Sequence, residues 1–161
     1  MFSFLKKKES AGIVLASPVK GTVVSLKQVN DPTFSEEMLG KGVAVIPTEG
    51  KIYAPADGEI SLLFDTLHAV SMTTTDGVEI LIHVGLDTVK LKGDGFVAHV
   101  ATGDTVKKGD LLLSVDLEAL KADGYDTVTP MVVCNTDDYA DVKTKDLTEV
   151  EQGKDLLHII V

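Results

Sequence analysis

The sequence predicts an all-β protein, a compact antiparallel β-sandwich or barrel with a duplicated β motif and at most short helical turns, and three observations predict it. The apolar runs are short and rich in β-branched residues; Gly, Pro, Asp and Asn bound nearly all of them; and two turn-and-strand patterns each occur twice. At 161 residues the chain is about one domain in size, long enough to bury a real core.

Taken in order, residues 1–10, MFSFLKKKES, are an apolar tip followed by Lys6 to Lys8. No apolar stretch here is long enough for a signal peptide, so the expectation is a flexible, solvated tail. The alternative is weak peripheral contact with an anionic membrane surface through Phe2, Phe4 and Leu5 beside the lysines. Residues 11–161 are then expected to form a single domain. Its strand candidates are IVLASPVKGTVVSL, VAVIPTEGKIYAP, GEISLLF, VEILIHVGL, LLLSVD, MVVC and DLLHIIV. Only FSEEMLGKG and DLEALKADG read as helix, each one or two turns ended by glycine.

The duplication is carried by Ser17-Pro18-Val19-Lys20-Gly21-Thr22-Val23 against Ala54-Pro55-Ala56-Asp57-Gly58-Glu59-Ile60. A second pair sets Val106-Lys107-Lys108-Gly109-Asp110-Leu111-Leu112 against residues 150–157, with one residue inserted. Each is a turn followed by an alternating strand.

Composition excludes several function classes. The net charge of −10 argues against nucleic-acid binding, which relies on Lys and Arg against phosphates. No run approaches the roughly 18 apolar residues of a membrane-spanning helix. All 15 basic residues are lysines, so any bidentate clamp on phosphate must come from a partner or be replaced by His, Lys, hydroxyls and backbone amides. The lone Cys134, in MVVC, reads as a buried core thiol, and one cysteine makes neither a disulfide nor a multi-thiolate site. A cytoplasmic setting fits that usage.

The chemistry concentrates at two of the four histidines. In VEILIHVG, strand alternation puts Val78, Ile80 and Ile82 on one face and Glu79, Leu81 and His83 on the other. With the first face in the core, His83 looks outward, and Gly85 leaves room beside it. Upstream, across the hairpin signal Thr75-Asp76-Gly77, lies His68, so the two histidines are expected on adjacent antiparallel segments. Thr66 faces the same way as His68 if that segment is extended. Two imidazoles and a hydroxyl allow two chemistries. A neutral imidazole can attack a phosphoryl group and hold it as a phosphoramidate. Alternatively, His68, His83 and a carboxylate such as Asp87 can hold Zn, although no HExxH-type spacing favours it. His99 and His158 stand alone among apolar residues and read as structural. Lys92-Gly93-Asp94-Gly95 reads as a tight turn beside His83, and Asp137 to Asp141 as a solvated face.

The run from Gly77 to Phe96 resembles the active-site signature of the glucose-type IIA components of the bacterial phosphoenolpyruvate-dependent sugar phosphotransferase system. It comprises an apolar strand leading to His83, then Gly85, Leu86, Asp87-Thr88-Val89, Leu91-Lys92-Gly93, Asp94 and Gly95-Phe96. The likeness continues through Ala16-Ser17-Pro18, Met38 to Gly42, Ala54-Pro55, Phe64 to His68, and Thr129-Pro130 with Asn135. The resemblance implies a β-sandwich phosphocarrier without a cofactor. It implies that His83 accepts a phosphoryl group from the histidine phosphocarrier protein HPr and passes it to a cysteine on the IIB domain of a sugar permease. His68 matches the second active-site histidine and Thr66 its hydroxyl-bearing partner. Gly85, Asp87 and Val89 match the edge of the site. Phe34, Met38, Leu39, Phe64, Val70, Ile82 and Val89 are implied as an apolar docking patch, rimmed by Asp31 and Asp87. Relatives in some bacteria also regulate other proteins in their unphosphorylated form, so regulatory targets are a second expectation.

Overall fold

A computed structural model describes residues 12–161; the expected tail, with its membrane alternative, lies outside the described residues. The described chain is almost entirely antiparallel strand. The strands are β1 (Ile13–Ala16), β2 (Gly21–Val24), β3 (Lys41–Pro47), β4 (Lys51–Tyr53), β5 (Gly58–Leu63), β6 (Ala69–Thr74) and β7 (Glu79–His83), followed by β8 (Phe96–Ala98), β9 (Thr105–Val106), β10 (Leu111–Val115), β11 (Thr129–Val133), β12 (Asp141–Thr144), β13 (Glu149–Val150) and β14 (Asp155–Ile160). They form one eight-stranded sheet, ordered β13-β2-β3-β11-β7-β6-β5-β9, and two three-stranded sheets, β1-β14-β12 and β4-β10-β8. The main core lies between them: Val43, Val45, Ile80 and Met131 of the large sheet meet Leu157 and Leu113 of the small ones. The all-β sandwich expected from the sequence is the fold observed.

The sheet order is a palindrome under exchange of β2 with β5, β3 with β6 and β7 with β11, and the hydrogen bonds repeat with it. Ser17 N–H donates to the Lys154 carbonyl (2.7 Å) as Ala54 N–H does to Asp110 (2.8 Å). In return Gly153 N–H donates to Ser17 (3.0 Å) and Gly109 N–H to Ala54 (2.9 Å). Ala16 N–H reaches the Pro55 carbonyl (3.0 Å) and Tyr53 N–H the Pro18 carbonyl (2.7 Å), so the two proline corners cross-link each other. The repeated Pro-x-x-Gly pattern therefore marks the corners of a two-fold pseudosymmetric sandwich, with glycine tolerated where the partner strand passes too close for a Cβ.

Helix occurs at both places, each capped by an aspartate, but of FSEEMLGKG only Phe34 and Ser35 are helical. Helix α1 (Pro32–Ser35) starts earlier than FSEEMLGKG suggests, because Asp31 caps it by accepting from Thr33 N–H (3.0 Å) and Pro32 takes the first helical position. Helix α2 (Leu117–Ala122) is capped by Asp116. Three single 3₁₀ turns were not anticipated: Leu26–Gln28, Thr88–Leu91 and Thr136–Asp138. The expectation for Cys134 is corrected: its thiol is exposed, because β11 ends at Val133 and the chain turns there, with Cys134 N–H bound to the Glu79 carbonyl (2.8 Å).

Candidate active site

The hairpin of β6 and β7 brings the two histidines together. Gly77, at φ 91°, closes its turn, and the register sets Ala69 opposite His83. His68, the residue before β6, is tied to β7 by Val84 N–H donating to its carbonyl (2.7 Å). The rings stand edge to face with centroids 4.9 Å apart and planes at 82°.

Alternation works as expected on the inner face: Val78, Ile80 and Ile82 are at most 1% exposed. The outer face is not open to water, however, and Leu81 is buried there too. A second apolar cluster covers it, built from Leu26, Val29, Phe34, Ala44, Leu86, Val128 and Val132. Its lid is the connection between β2 and β3, shaped by the Ser25–Gln28 capping box and the Asp31 cap. That lid sets the Phe34 ring 5.2 Å from the His83 ring, tilted by 59°. On the other side Phe64 meets His68 edge-on at 5.5 Å.

Hydrogen bonds assign roles to the ring nitrogens. Nδ1 of His83 lies 2.7 Å from the carbonyl oxygen of Gly85. A carbonyl only accepts, so Nδ1 carries the proton, and in the neutral ring Nε2 keeps its lone pair. Gly85 makes this contact at φ 79°, where a Cβ would stand 2.7 Å from Thr88 Cγ2 and 2.9 Å from the Asp126 carbonyl. Thr88 in turn is fully buried and donates its hydroxyl to the Val84 carbonyl (2.6 Å). Thr66 Oγ1 lies 2.7 Å from Nδ1 of His68.

Both imidazoles are held neutral at physiological pH. Burial lowers the His68 pKa to about 4, helped by the neighbouring His83. Burial also lowers that of His83, against the opposing pull of the Gly85 hydrogen bond and the Asp31 and Asp87 carboxylates. A pair of neutral rings, one with an unprotonated Nε2, has the chemistry to act as a nucleophile with a neighbouring hydrogen-bonding group.

The other expected residues divide sharply. Met38, Leu39 and Val89 are exposed, at 68%, 40% and 48%, and Phe64 is half-buried. Val70 and Ile82 are corrected: they pair across β6 and β7 with both side chains in the main core, on the face opposite His83. Phe34, at 3% exposure, is also corrected from docking surface to packing, because the second cluster encloses it. The Zn alternative gains no third ligand: Asp87 does not join the imidazoles in a metal-holding group among the described residues. Lys92 to Gly95 do form tight turns, and a Cβ at Gly93 would stand 3.9 Å from the Thr66 carbonyl. His99, expected as structural, is exposed and bonded through Nε2 to Ser114 Oγ (2.8 Å). Residues missed in the sequence are Leu26, Val29 and Val128 of the covering cluster, for the first of which Ser25-x-x-Gln28 was the available signal; Thr88 stands in the signature run, without the supporting role it has behind Gly85.

Comparisons with known proteins agree with this geometry. Residues 13–139 match the family model described as phosphoenolpyruvate-dependent sugar phosphotransferase system, EIIA 1. The chain is 42% identical over 157 residues to the glucose-specific EIIA component of Oceanobacillus iheyensis, covering 97% of this chain and 95% of that one. It is 46% identical to part of the beta-glucoside-specific EIIBCA component of Bacillus subtilis, covering 92% of this chain but 24% of that longer protein. The solved glucose permease IIA from Mycoplasma capricolum superposes with a TM-score of 0.83 at 34% identity, covering both chains fully. The chain therefore belongs to the EIIA 1 family of the phosphoenolpyruvate-dependent sugar phosphotransferase system.

Proposed function

We propose that this protein is a cytoplasmic phosphocarrier that takes a phosphoryl group from phospho-HPr onto Nε2 of His83 and gives it to a cysteine on a IIB domain. One observation carries the reading: the Nδ1–Gly85 hydrogen bond of 2.7 Å, which leaves the Nε2 lone pair of a neutral ring as the nucleophile beside a second neutral imidazole. In the first step Nε2 attacks phosphorus, the nitrogen–phosphorus bond of phospho-HPr breaks, and its electron pair returns to the HPr histidine. In the second a cysteine thiolate attacks the same phosphorus, forming a sulfur–phosphorus bond, and the electron pair returns to Nε2 of His83.

His68 supplies the neighbouring donor. With the Thr66 hydroxyl donating to Nδ1, the neutral ring carries its proton on Nε2, available to a phosphoryl oxygen. Transfer of this kind depends on in-line placement and charge stabilisation, which two docked proteins supply without a cofactor. Met38, Leu39 and Val89 form the apolar part of the docking surface, and Asp31 and Asp87 steer a basic partner that brings the missing cation. The same exposed patch suits regulatory targets that read the unphosphorylated form, since a phosphoryl group adds negative charge in their path.

The test is intact-mass and peptide mapping at neutral to basic pH after incubation with phosphoenolpyruvate, enzyme I and HPr. One acid-labile phosphoryl group on His83, dependent on HPr and absent in His83→Ala, is expected. A folded protein that takes none, with a cognate HPr present, rejects the proposal.

A further inference from the structure

Four non-glycine residues with positive φ occur among the described residues, Glu37, Leu67, Asp87 and Lys92, all outside the strands. Glu37 and Lys92 sit at or just past helical ends, where left-handed backbone is common. Asp87 has the short polar side chain that tolerates it. Leu67 has none of these reasons. It holds φ 60° with a bulky apolar side chain, at a turn position that glycine or asparagine would ordinarily fill. Backbone of this kind persists only where its surroundings over-determine it, and such places cluster at functional sites.

Leu67 lies between the two residues that its turn unites. Its amide donates to the Phe64 carbonyl (2.8 Å), and the Phe64 amide to the Ala69 carbonyl (3.1 Å), closing a tight loop. In an extended segment Thr66 and His68 would stand roughly 6–7 Å apart along the strand. A left-handed residue between them bends the chain, and the Thr66 hydroxyl meets Nδ1 of His68 at 2.7 Å. The Leu67 side chain packs on the main core, as does that of Leu91.

We propose that Leu67 is a positioning residue for the phosphotransfer site: its left-handed backbone turns Thr66 onto Nδ1 of His68. The consequence for activity rests on the function proposed above; the geometric part does not.

The experiment compares Leu67→Asn with Leu67→Ile in the full chain. Asparagine tolerates left-handed backbone but loses the apolar seat, whereas isoleucine keeps the volume and resists the conformation. The ¹⁵N shifts of the His68 ring report its tautomer and hydrogen bond whether or not phosphate is ever transferred. Transfer from phospho-HPr is measured alongside, with its KM and its rate at saturation. Leu67→Asn is expected to keep the wild-type His68 signature and a rate within about threefold. Leu67→Ile is expected to lose that signature and roughly tenfold to a hundredfold in saturated rate, with KM little changed. If Leu67→Ile does not fold, Leu67→Ala, close to Asn in size but averse to the conformation, is expected to lose the same signature. A folded isoleucine or alanine variant with the wild-type signature overturns the proposal, as does its loss in folded Leu67→Asn. Failure of the wild type to take phosphate, with the signatures behaving as expected, would reject the carrier function and leave the positioning role standing.

Discussion

The pseudosymmetric frame offers two equivalent connections, one from β2 to β3 and one from β5 to β6, and they have diverged in opposite directions. The first runs from Ser25 to Gly40 and builds a small apolar core of its own, with Leu26, Val29 and Phe34 laid over the outer sheet face. The second is only Phe64 to His68, has no separate core, and is held by the Leu67–Phe64, Phe64–Ala69 and Val84–His68 backbone hydrogen bonds and the Thr66–His68 contact. Both end at His83, one with a phenyl ring and the other with an imidazole. The long connection covers one side of the half-buried His83 ring, and the short one places a polar neighbour beside it. A repeated frame tolerates this because its own hydrogen bonds lie in the strands and corners, leaving the connections free to differ.

The largest expected effect separates the connections by packing. Phe34→Ala removes a fully enclosed ring and is expected to cost about 3–5 kcal/mol in denaturant unfolding. Phe64→Ala, at a half-buried site, is expected to cost about 1–2 kcal/mol. Phe34→Ala should also raise the His83 pKa towards its ordinary value, since burial is what lowers it, and an NMR titration reads that directly. Equal costs for the two substitutions would break the division of labour.

Next comes the polar side. His68→Ala removes the neighbouring donor, so phosphoryl transfer at saturating HPr is expected to fall about 10²- to 10³-fold while the protein stays folded. The same ring leaves a signature in stability. Its folded pKa, about 4, lies below the unfolded 6.5, so between those values the unfolded chain binds a proton that the folded one does not. Stability therefore falls as pH drops from 6.5 to 4, by something on the order of 2 kcal/mol after allowing for solvent screening. Subtracting the pH profile of His68→Gln from that of the wild type isolates this ring from the carboxylates. A difference profile that is flat across the window would show that burial does not hold His68 neutral.

The sequence made the frame and the histidine pair readable for a physical reason: both follow local rules. Strand alternation places Ile80 and Ile82 inward and His83 outward, Asp76-Gly77 specifies the hairpin, and the repeated Pro-x-x-Gly marks the corners. What alternation cannot say is whether an outward face meets water. Family likeness assigns Phe34 to the docking surface, and nothing local shows that Leu26, Val29, Leu86 and Val128, from three separate segments, close around it. Val70 and Ile82 carry the same family likeness, but for Ile82 strand alternation already points to the core, and its cross-strand partner Val70 lies there with it. Thr66 met His68 as expected, but through a left-handed bend at Leu67 and not along an extended strand.

The smallest expected effect concerns the part of the long connection that remains exposed. Met38 is 68% exposed, past the end of α1, so its replacement should leave stability within about 0.5 kcal/mol. If it belongs to the docking surface, Met38→Ser should raise the KM for phospho-HPr by roughly fivefold to tenfold, about 1 kcal/mol, with the saturated rate unchanged. Serine is the sharper choice than aspartate, because added negative charge facing a basic partner would speed encounter and mask the lost apolar contact. Val97→Ser on β8, at a residue 56% exposed, supplies the control, with no change in KM expected. A similar rise for both would mean that general surface hydrophobicity, and not the long connection, governs docking. A rise for Met38 alone would give that connection two separate tasks: its buried face packs against His83, and its exposed end receives the donor.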